Sequence, residues 1–341
     1  MTRVLTALAV LAGLCANAHL CASAYAESVA EFYKGKTIRV IVGQPSGDIY
    51  DTWARLIVRH MRAHIPGNPN MIVENMPGGG TLIAANFIYN RAPQDGTTLG
   101  SVSRNIPHYA FTKRPNVQFD PLKFTWIGSP ELTGRGCYAR VDSGVTEAAQ
   151  LFERELVIGT DGAGTAALET PNLLRNLLGM KFRTVDGYHG TASIALAIER
   201  KEVSGICQTI AGFEQVGRQM LDNGTVRLLF TIESKRGVRP GVPTAFEFTK
   251  TDEQRKILSF NASTLELGRP WLAPPNIPAE RVAALRTAFD ATMRDETFRG
   301  EAKQRGLEVT LRTGAELEAV LAEAAAFPPD LLARIPQLVS R

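Results

Sequence analysis

Three stretches of the chain carry residues suited to holding a small anion. Gly43-Gln44-Pro45-Ser46-Gly47-Asp48-Ile49-Tyr50-Asp51 follows the β-branched run Thr37–Val42 and leads into a segment with apolar residues at Tyr50, Trp53, Ala54, Ile57 and Met61. A loop that leaves a parallel strand and enters a helix offers free backbone N–H groups at the positive end of the helix dipole. Thr160-Asp161-Gly162-Ala163-Gly164-Thr165 repeats that arrangement in the second half of the chain. Pro77-Gly78-Gly79-Gly80-Thr81 suits either an anion cradle or a tight turn that lets a helix pack on a strand. Ligand contacts are therefore expected from Gln44, Ser46, Gly47, Asp48, Tyr50, Gly79, Thr81, Thr160, Gly164 and Thr165. Tyr188 and His189, in the loop after Phe182–Val185, fit a cleft wall or an exposed aromatic loop, and Gln208 follows the run Val203–Cys207.

Covalent chemistry finds little support. Gly35-Lys36-Thr37 ends like a phosphate loop, but it precedes a strand instead of following one, and no G-x-S-x-G nucleophile elbow occurs. His60 and His64 stand four apart on one helix, a metal-ligand spacing. Their face is otherwise basic, with Arg59 and Arg62, and no acidic residue lies between them. No catalytic residue, metal or cofactor is expected.

The elements that must position these loops alternate. Thr37–Val42, Met71–Glu74 and Thr97–Ser103 read as strands, with helices over Tyr50–Ala63 and Leu82–Arg91 between them. That is a parallel sheet covered by helices. Phe124–Gly128 is a further strand. A second series follows: strands Cys137–Val141, Glu155–Gly159, Phe182–Val185, Val203–Cys207 and Val226–Thr231, with helices Val145–Arg154, Ala166–Leu178 and Thr191–Glu199. Arg269–Ala273 is read as returning to the first sheet, followed by amphipathic helices over Pro278–Arg294 and Ala315–Ala326. The fold class is α/β with two lobes and two sheets: residues 27–132 and 266–341 form one lobe and 133–265 the other. The chain crosses between them near 129–136 and 260–268. A ligand then lies in the central cleft where strand-end loops converge.

Composition agrees with a globular protein: 44% hydrophobic and 21% charged, with a net charge of +4, or +3 without Arg3. That is too mild for a nucleic-acid partner. Arg3, the apolar run Val4–Leu14 and the ending Ala24-Tyr25-Ala26 have the three parts of a secretory signal peptide, and the apolar run is too short to span a bilayer. Cys15 and Cys21 each follow Leu, against lipid attachment. Removal of residues 1–26 leaves Cys137 and Cys207, which form either a disulfide in an oxidising compartment or two separate buried thiols.

Several runs together carry a resemblance. Tyr33-Lys34-Gly35-Lys36-Thr37-Ile38-Arg39-Val40-Ile41-Val42, Glu74-Asn75-Met76-Pro77-Gly78-Gly79-Gly80 and Ala92-Pro93-Gln94-Asp95-Gly96-Thr97-Thr98-Leu99 come first. Gly224–Leu229, Val242-Pro243-Thr244 and Trp271-Leu272-Ala273-Pro274 with Ile277-Pro278-Ala279 follow in order. The set resembles the substrate-binding proteins of tripartite tricarboxylate transporters, the Bug/TctC-like receptors. The resemblance implies a monomeric periplasmic receptor of the periplasmic-binding-protein (Venus flytrap) kind. It would close on a small organic solute, usually a carboxylate held by loop backbone groups and waters, and feed a membrane permease. In it Asp51 matches the family's Asp, and Tyr188–Gly190 its Y-x-G. One loop departs: where the family commonly has P-F-A-P-G-G-G-T-D, this chain has Asp48 and Ile49 in place of two glycines. An ionised Asp48 facing the cleft would repel a carboxylate by roughly 1–4 kcal/mol; turned back, it would cap the helix. A neutral, aromatic or amine-bearing ligand therefore enters consideration. A secreted enzyme and a receptor coupled to a membrane sensor are the alternatives for the same cleft.

Overall fold

The computed structural model describes residues 27–162, 165–233, 239 and 241–340. The expected leader, Gly164 and residues 234–238 and 240 lie outside the described residues.

Two sheets organise the chain. The first has six strands in the order β11-β4-β10-β3-β1-β2: β1 (Thr37–Val42), β2 (Asn70–Asn75), β3 (Thr98–Ser101), β4 (Thr125–Ser129), β10 (Trp271–Ala273) and β11 (Arg312–Thr313). β1, β2 and β3 run parallel, with Val40 paired to Val73 and Leu99, whereas β10 and β11 join antiparallel. The second sheet has five strands in the order β7-β6-β8-β5-β9: β5 (Arg135–Arg140), β6 (Leu156–Gly159), β7 (Phe182–Val185), β8 (Gly205–Thr209) and β9 (Val226–Ile232). Here β6, β7 and β8 are parallel and β5 is antiparallel to β8 and β9.

Both faces of each sheet are covered, which is why the parallel strands read as nearly continuous apolar runs. One face of the first sheet buries Trp53, Trp271, Phe289 and Phe298; the other buries Ile41, Trp126, Leu272 and Leu317. Each such aromatic contributes on the order of 2–3 kcal/mol by leaving water. In the second sheet Leu173, Leu177 and Phe230 cover one face and Ile198, Ile206 and Phe213 the other.

Helices begin where the parallel strands end. In the first lobe these are α2 (Ile49–Met61), α3 (Leu82–Asn90) and α4 (Ile106–Phe111), after the short α1 (Val29–Tyr33). In the second they are α5 (Ala166–Leu178), α6 (Gly190–Glu199) and α7 (Ile210–Asp222). The remainder are α8 (Asp252–Glu266), α9 (Ala279–Arg294), α10 (Glu296–Gln304), α11 (Gly314–Ala325) and α12 (Pro329–Val339). No helix among the described residues is long and apolar enough to cross a membrane.

The chain passes between the sheets at 130–134 and 267–270, and again at 326–328. The first two crossings touch: a Cβ on Gly268, whose φ is +58°, would lie 1.9 Å from the Glu131 carbonyl oxygen, so only glycine fits there. The second crossing falls slightly later than the expected 260–268, because α8 continues to Glu266.

Two expectations are corrected. The helix expected over Val145–Arg154 is a single 3-10 turn, Ala148–Phe152. The Gln150 carboxamide oxygen accepts from the amides of Thr146 (2.8 Å) and Glu147 (3.2 Å) and closes the turn early. The span 266–341 does not belong wholly to the first lobe. Leu331 and Ile335 of α12 join the second lobe's core, and Asn172 of α5 donates to the Val339 carbonyl oxygen at 3.1 Å.

Cys137 and Cys207 face each other across the β5–β8 pair and are joined by a disulfide. It closes a loop with a sequence separation of 70, for which a chain-entropy model gives about 4 kcal/mol. Reduction should add two hydrogens to the protein mass and lower the denaturant midpoint of the second lobe. An unchanged mass and midpoint would show two separate thiols.

Candidate functional site

The loop after β1 is built around one carboxylate. Asp51 is 2% exposed and accepts from Gly47 N (2.9 Å), Arg55 Nε (2.9 Å) and Asn75 Nδ2 (2.9 Å). The same Asn75 amide donates to the Gln44 carbonyl oxygen at 2.9 Å. Asn75 ends β2, so one side chain ties the neighbouring strand to both ends of the loop. Burial alone pushes the Asp51 carboxyl up, but the bonds from Arg55, Gly47 and Asn75 together outweigh it and hold the group below the usual carboxylate range.

Asp48 caps α2: its Oδ1 accepts from Tyr50 N at 2.8 Å. Burial pushes its carboxyl up, partly offset by that bond and by the Arg269 guanidinium. The departure from the family loop therefore fills the helix N-terminus with the chain's own carboxylate. Ser46 and Gly47 are exposed, and Gly47 has φ +85°. Tyr50 is buried; its hydroxyl accepts from Arg104 N at 3.4 Å, and Arg269 lies over its ring at 5.4 Å.

In the second glycine turn four successive residues have positive φ: Gly78 (+133°), Gly79 (+59°), Gly80 (+65°) and Thr81 (+74°). Glycine is required for such a run, and a β-branched Thr there is strained. Thr81 is buried, and its hydroxyl accepts from Ser103 N at 3.1 Å, so it braces the loop after β3 from within. The Gly79 and Gly80 amides donate to no described residue.

In the second lobe Thr160 is buried and its hydroxyl donates to the Asp186 carboxylate, joining the loops after β6 and β7. Thr165 donates to the Gly162 carbonyl oxygen at 2.7 Å. Tyr188 packs half-buried on the Ile194–Val203 cluster, where burial and then the nearby Glu202 carboxylate push its phenol up. His189 is exposed at the start of α6. Gln208 donates to the Thr191 hydroxyl at 3.1 Å and accepts from Thr209 N at 2.8 Å, holding the starts of α6 and α7 together. His60 and His64 lie elsewhere: His60 meets Glu301 at 2.9 Å and His64 meets Asp295 at 3.6 Å. Among the described residues no group of three His, Cys, Asp or Glu could hold a metal.

The lobes meet at the ends of β3 and β5, where the sequence reading placed nothing. Arg104 is 9% exposed and its Nη1 has no partner among the described residues. Arg135 is 3% exposed; its Nη1 donates to the Thr170 hydroxyl at 2.7 Å, while its Nε is unpartnered. The two guanidiniums repel, and burial followed by Arg104 pulls Arg135 down to about 10, with Glu169 opposing. Buried donors left unpaired across an interface mark a place where an anion is stabilised. The signal available in sequence was Ser103-Arg104-Asn105, directly after the third parallel strand.

The sequence profile described as "Tripartite tricarboxylate transporter family receptor" matches residues 54–327, well over half of the chain. The chain belongs to that family. A curated relative, the "UPF0065 protein in gbd 5'region" of Cupriavidus necator, is 28% identical over 230 residues, 65% of this chain and 67% of its own length. A TctC solute-binding protein from Polaromonas has the same fold at TM-score 0.67 and 19% identity, covering 89% of this chain and 99% of its own. MatC from Rhodopseudomonas palustris, solved with bound malate, superposes at TM-score 0.59 and 23% identity over 89% of this chain and 99% of its own. The likeness in fold takes in a somewhat larger share of the chain than the matched segment.

Two substitutions test the first loop. Asp48→Ala should destabilise the receptor by about 1 kcal/mol through loss of the cap, read as a lower urea midpoint at constant slope. Asp51→Asn should cost about 2–3 kcal/mol at neutral pH. Because the folded-state pKa of Asp51 lies below its unfolded value, its contribution is complete above the ordinary carboxylate range and fades as pH falls through the folded value. The Asn variant should accordingly lose part of the wild-type decline in stability on acidification.

Proposed function

We propose that this receptor is exported by the signal peptide at its N-terminus and acts in the periplasm. There it captures a small organic carboxylate between its lobes and presents it to the membrane subunits of a tripartite tricarboxylate-type transporter. The family and the malate held by MatC support the ligand class. The observation that carries it in this chain is Arg104, buried between the lobes with a free Nη1 beside Arg135. Asp48 accepts from Tyr50 N at the start of the first helix and Asp51 from Gly47 N just before it, which places two carboxylates at that helix end, so anion recognition passes to Arg104 and to the Gly79 and Gly80 amides.

The starts of α2, α3 and α4 belong to one lobe and those of α5, α6 and α7 to the other. A ligand that touches both sets only when the lobes are closed shifts the population toward closure. Gly268 and the buried Glu131–Arg269 pair lie where the crossings touch, and there the backbone must bend.

A thermal-shift series on the mature chain with malate, succinate and adipate tests the reading. A binder at a hundred times its Kd should add about 2.7 kcal/mol of stability. Arg104→Gln should weaken it by roughly 10–100-fold. If none of these acids stabilises the protein and it instead turns over an ester or amide, the receptor reading falls.

A further inference from the structure

Between the lobes lies a cavity of about 410 Å³. One wall is the first lobe's segment from Asn105 to Pro115. The other comes from α5, α8 and α12, which pack on the second lobe's core. A space shared by two hinged bodies changes size as they move. Two lobe-to-lobe pairs line it, and the first is in contact. His108 of α4 donates from Nε2 to the Phe260 carbonyl oxygen of α8 at 2.8 Å, and the two ring centroids stand 4.3 Å apart. A carbonyl oxygen only accepts, so Nε2 carries the hydrogen.

The second pair, Arg114 and Glu169, is not in contact. Arg114 follows α4 and is anchored on it: its backbone N–H donates to the Tyr109 carbonyl oxygen at 2.8 Å, and its guanidinium lies 4.2 Å from the centre of the Tyr109 ring. Glu169 stands in the first turn of α5, where its backbone N–H donates to the Thr165 carbonyl oxygen at 2.9 Å. Both side chains are half-buried. Among the described residues no hydrogen bond or ion pair reaches the Glu169 carboxylate, and its oxygens are open to solvent, not sealed like Arg104 Nη1. Burial pushes this carboxyl up; Arg114 across the gap draws it back, followed by Arg135 of its own lobe. The other lobe's arginine thus attracts Glu169 more than its own lobe's does, although no bond joins them. A half-buried carboxylate without a partner gains from meeting a guanidinium, which offers it two parallel donors.

We propose that Arg114 and Glu169 are a closing pair. As the lobes come together over a ligand, the guanidinium meets the carboxylate across the cavity, and the His108–Phe260 contact is the fixed side of the movement. The pair favours the closed form and so raises affinity from outside ligand contact. This rests on the receptor reading above. It adds two positioning residues whose effect on binding passes through the lobe angle.

Calorimetric titration of the mature chain with malate tests this, together with a distance measurement between the lobes. Glu169→Gln and Arg114→Gln should each weaken malate about fivefold, the scale of one partly exposed ion pair. Both together should cost no more than either alone, since the same bond is lost. Exchanging the two, Arg114→Glu with Glu169→Arg, should bring affinity back to within about twofold of wild type. In about 1 M salt the ratio between wild type and single variants should shrink, because screening then acts over about 3 Å. A bystander carboxylate near the buried arginines would act the other way: Glu169→Gln would tighten malate by removing repulsion, and that result overturns the proposal. An unchanged affinity does so too, as do single losses that add in the double variant. Nitroxide labels on Leu122→Cys and Leu196→Cys, at exposed sites on opposite lobes, read the lobe separation by pulsed electron resonance without ligand. Glu169→Gln should shift those distances outward; an unshifted distribution overturns the pair. Failure of the wild type to bind malate falls on the ligand reading, and the distances then decide the closing pair alone.

Discussion

The first jaw depends on the buried Asp51 carboxylate. Its donors are Ser46 and Gly47 in the loop before it, Arg55 one turn along its own helix and Asn75 at the end of the neighbouring strand. A carboxylate so enclosed is costly to bury and is kept only because every bond is made. The loop is thereby held in one shape before any ligand arrives, and preorganisation of this kind reduces the ordering cost of binding. The same arrangement has an electrostatic consequence. With the Asp48 carboxylate on the Tyr50 amide, the positive end of α2 already faces a negative charge of the chain's own.

Positive potential is supplied instead by guanidinium groups where the chain passes from lobe to lobe. Arg104, Arg135 and Arg269 are all buried there, against Glu131 and Glu233. Glu131 pairs with Arg269, whereas Glu233 has no partner among the described residues and burial pushes its carboxyl up. Buried charge that is only partly compensated makes this the region of the molecule most responsive to an added ion.

Much of the architecture was legible because parallel strands and their helices leave strong periodic signals. Ala166–Leu178 and Phe182–Val185 fall where the pattern put them, and β1 and α3 agree to within a residue. Spacing leaves the disulfide open because it says nothing of register; Cys137 and Cys207 become partners only through the β5–β8 pairing. The candidate site was harder. Thr81, Thr160 and Gln208 stand out by position in the β/α alternation, and position alone does not tell a side chain facing a ligand from one bracing a neighbouring loop. Arg104 and Arg135 read as ordinary surface arginines until the tertiary structure buries them, because their environment comes from opposite lobes. The α12 placement was hidden for a related reason: an amphipathic helix advertises that it will pack, not against which lobe.

That last helix changes how a receptor of this build can diversify. Most of the interior is constrained from two sides, since a residue in either sheet serves a core as well as a loop. The segment after Pro328 packs on the second lobe's core through Leu331 and Ile335, and Ile335, Pro336 and Val339 also line the cavity. Leu331 and Ile335 on this helix also serve the second lobe's core, so the exposed Pro336 and the half-buried Val339 are the positions where the cavity wall can change at least cost to folding.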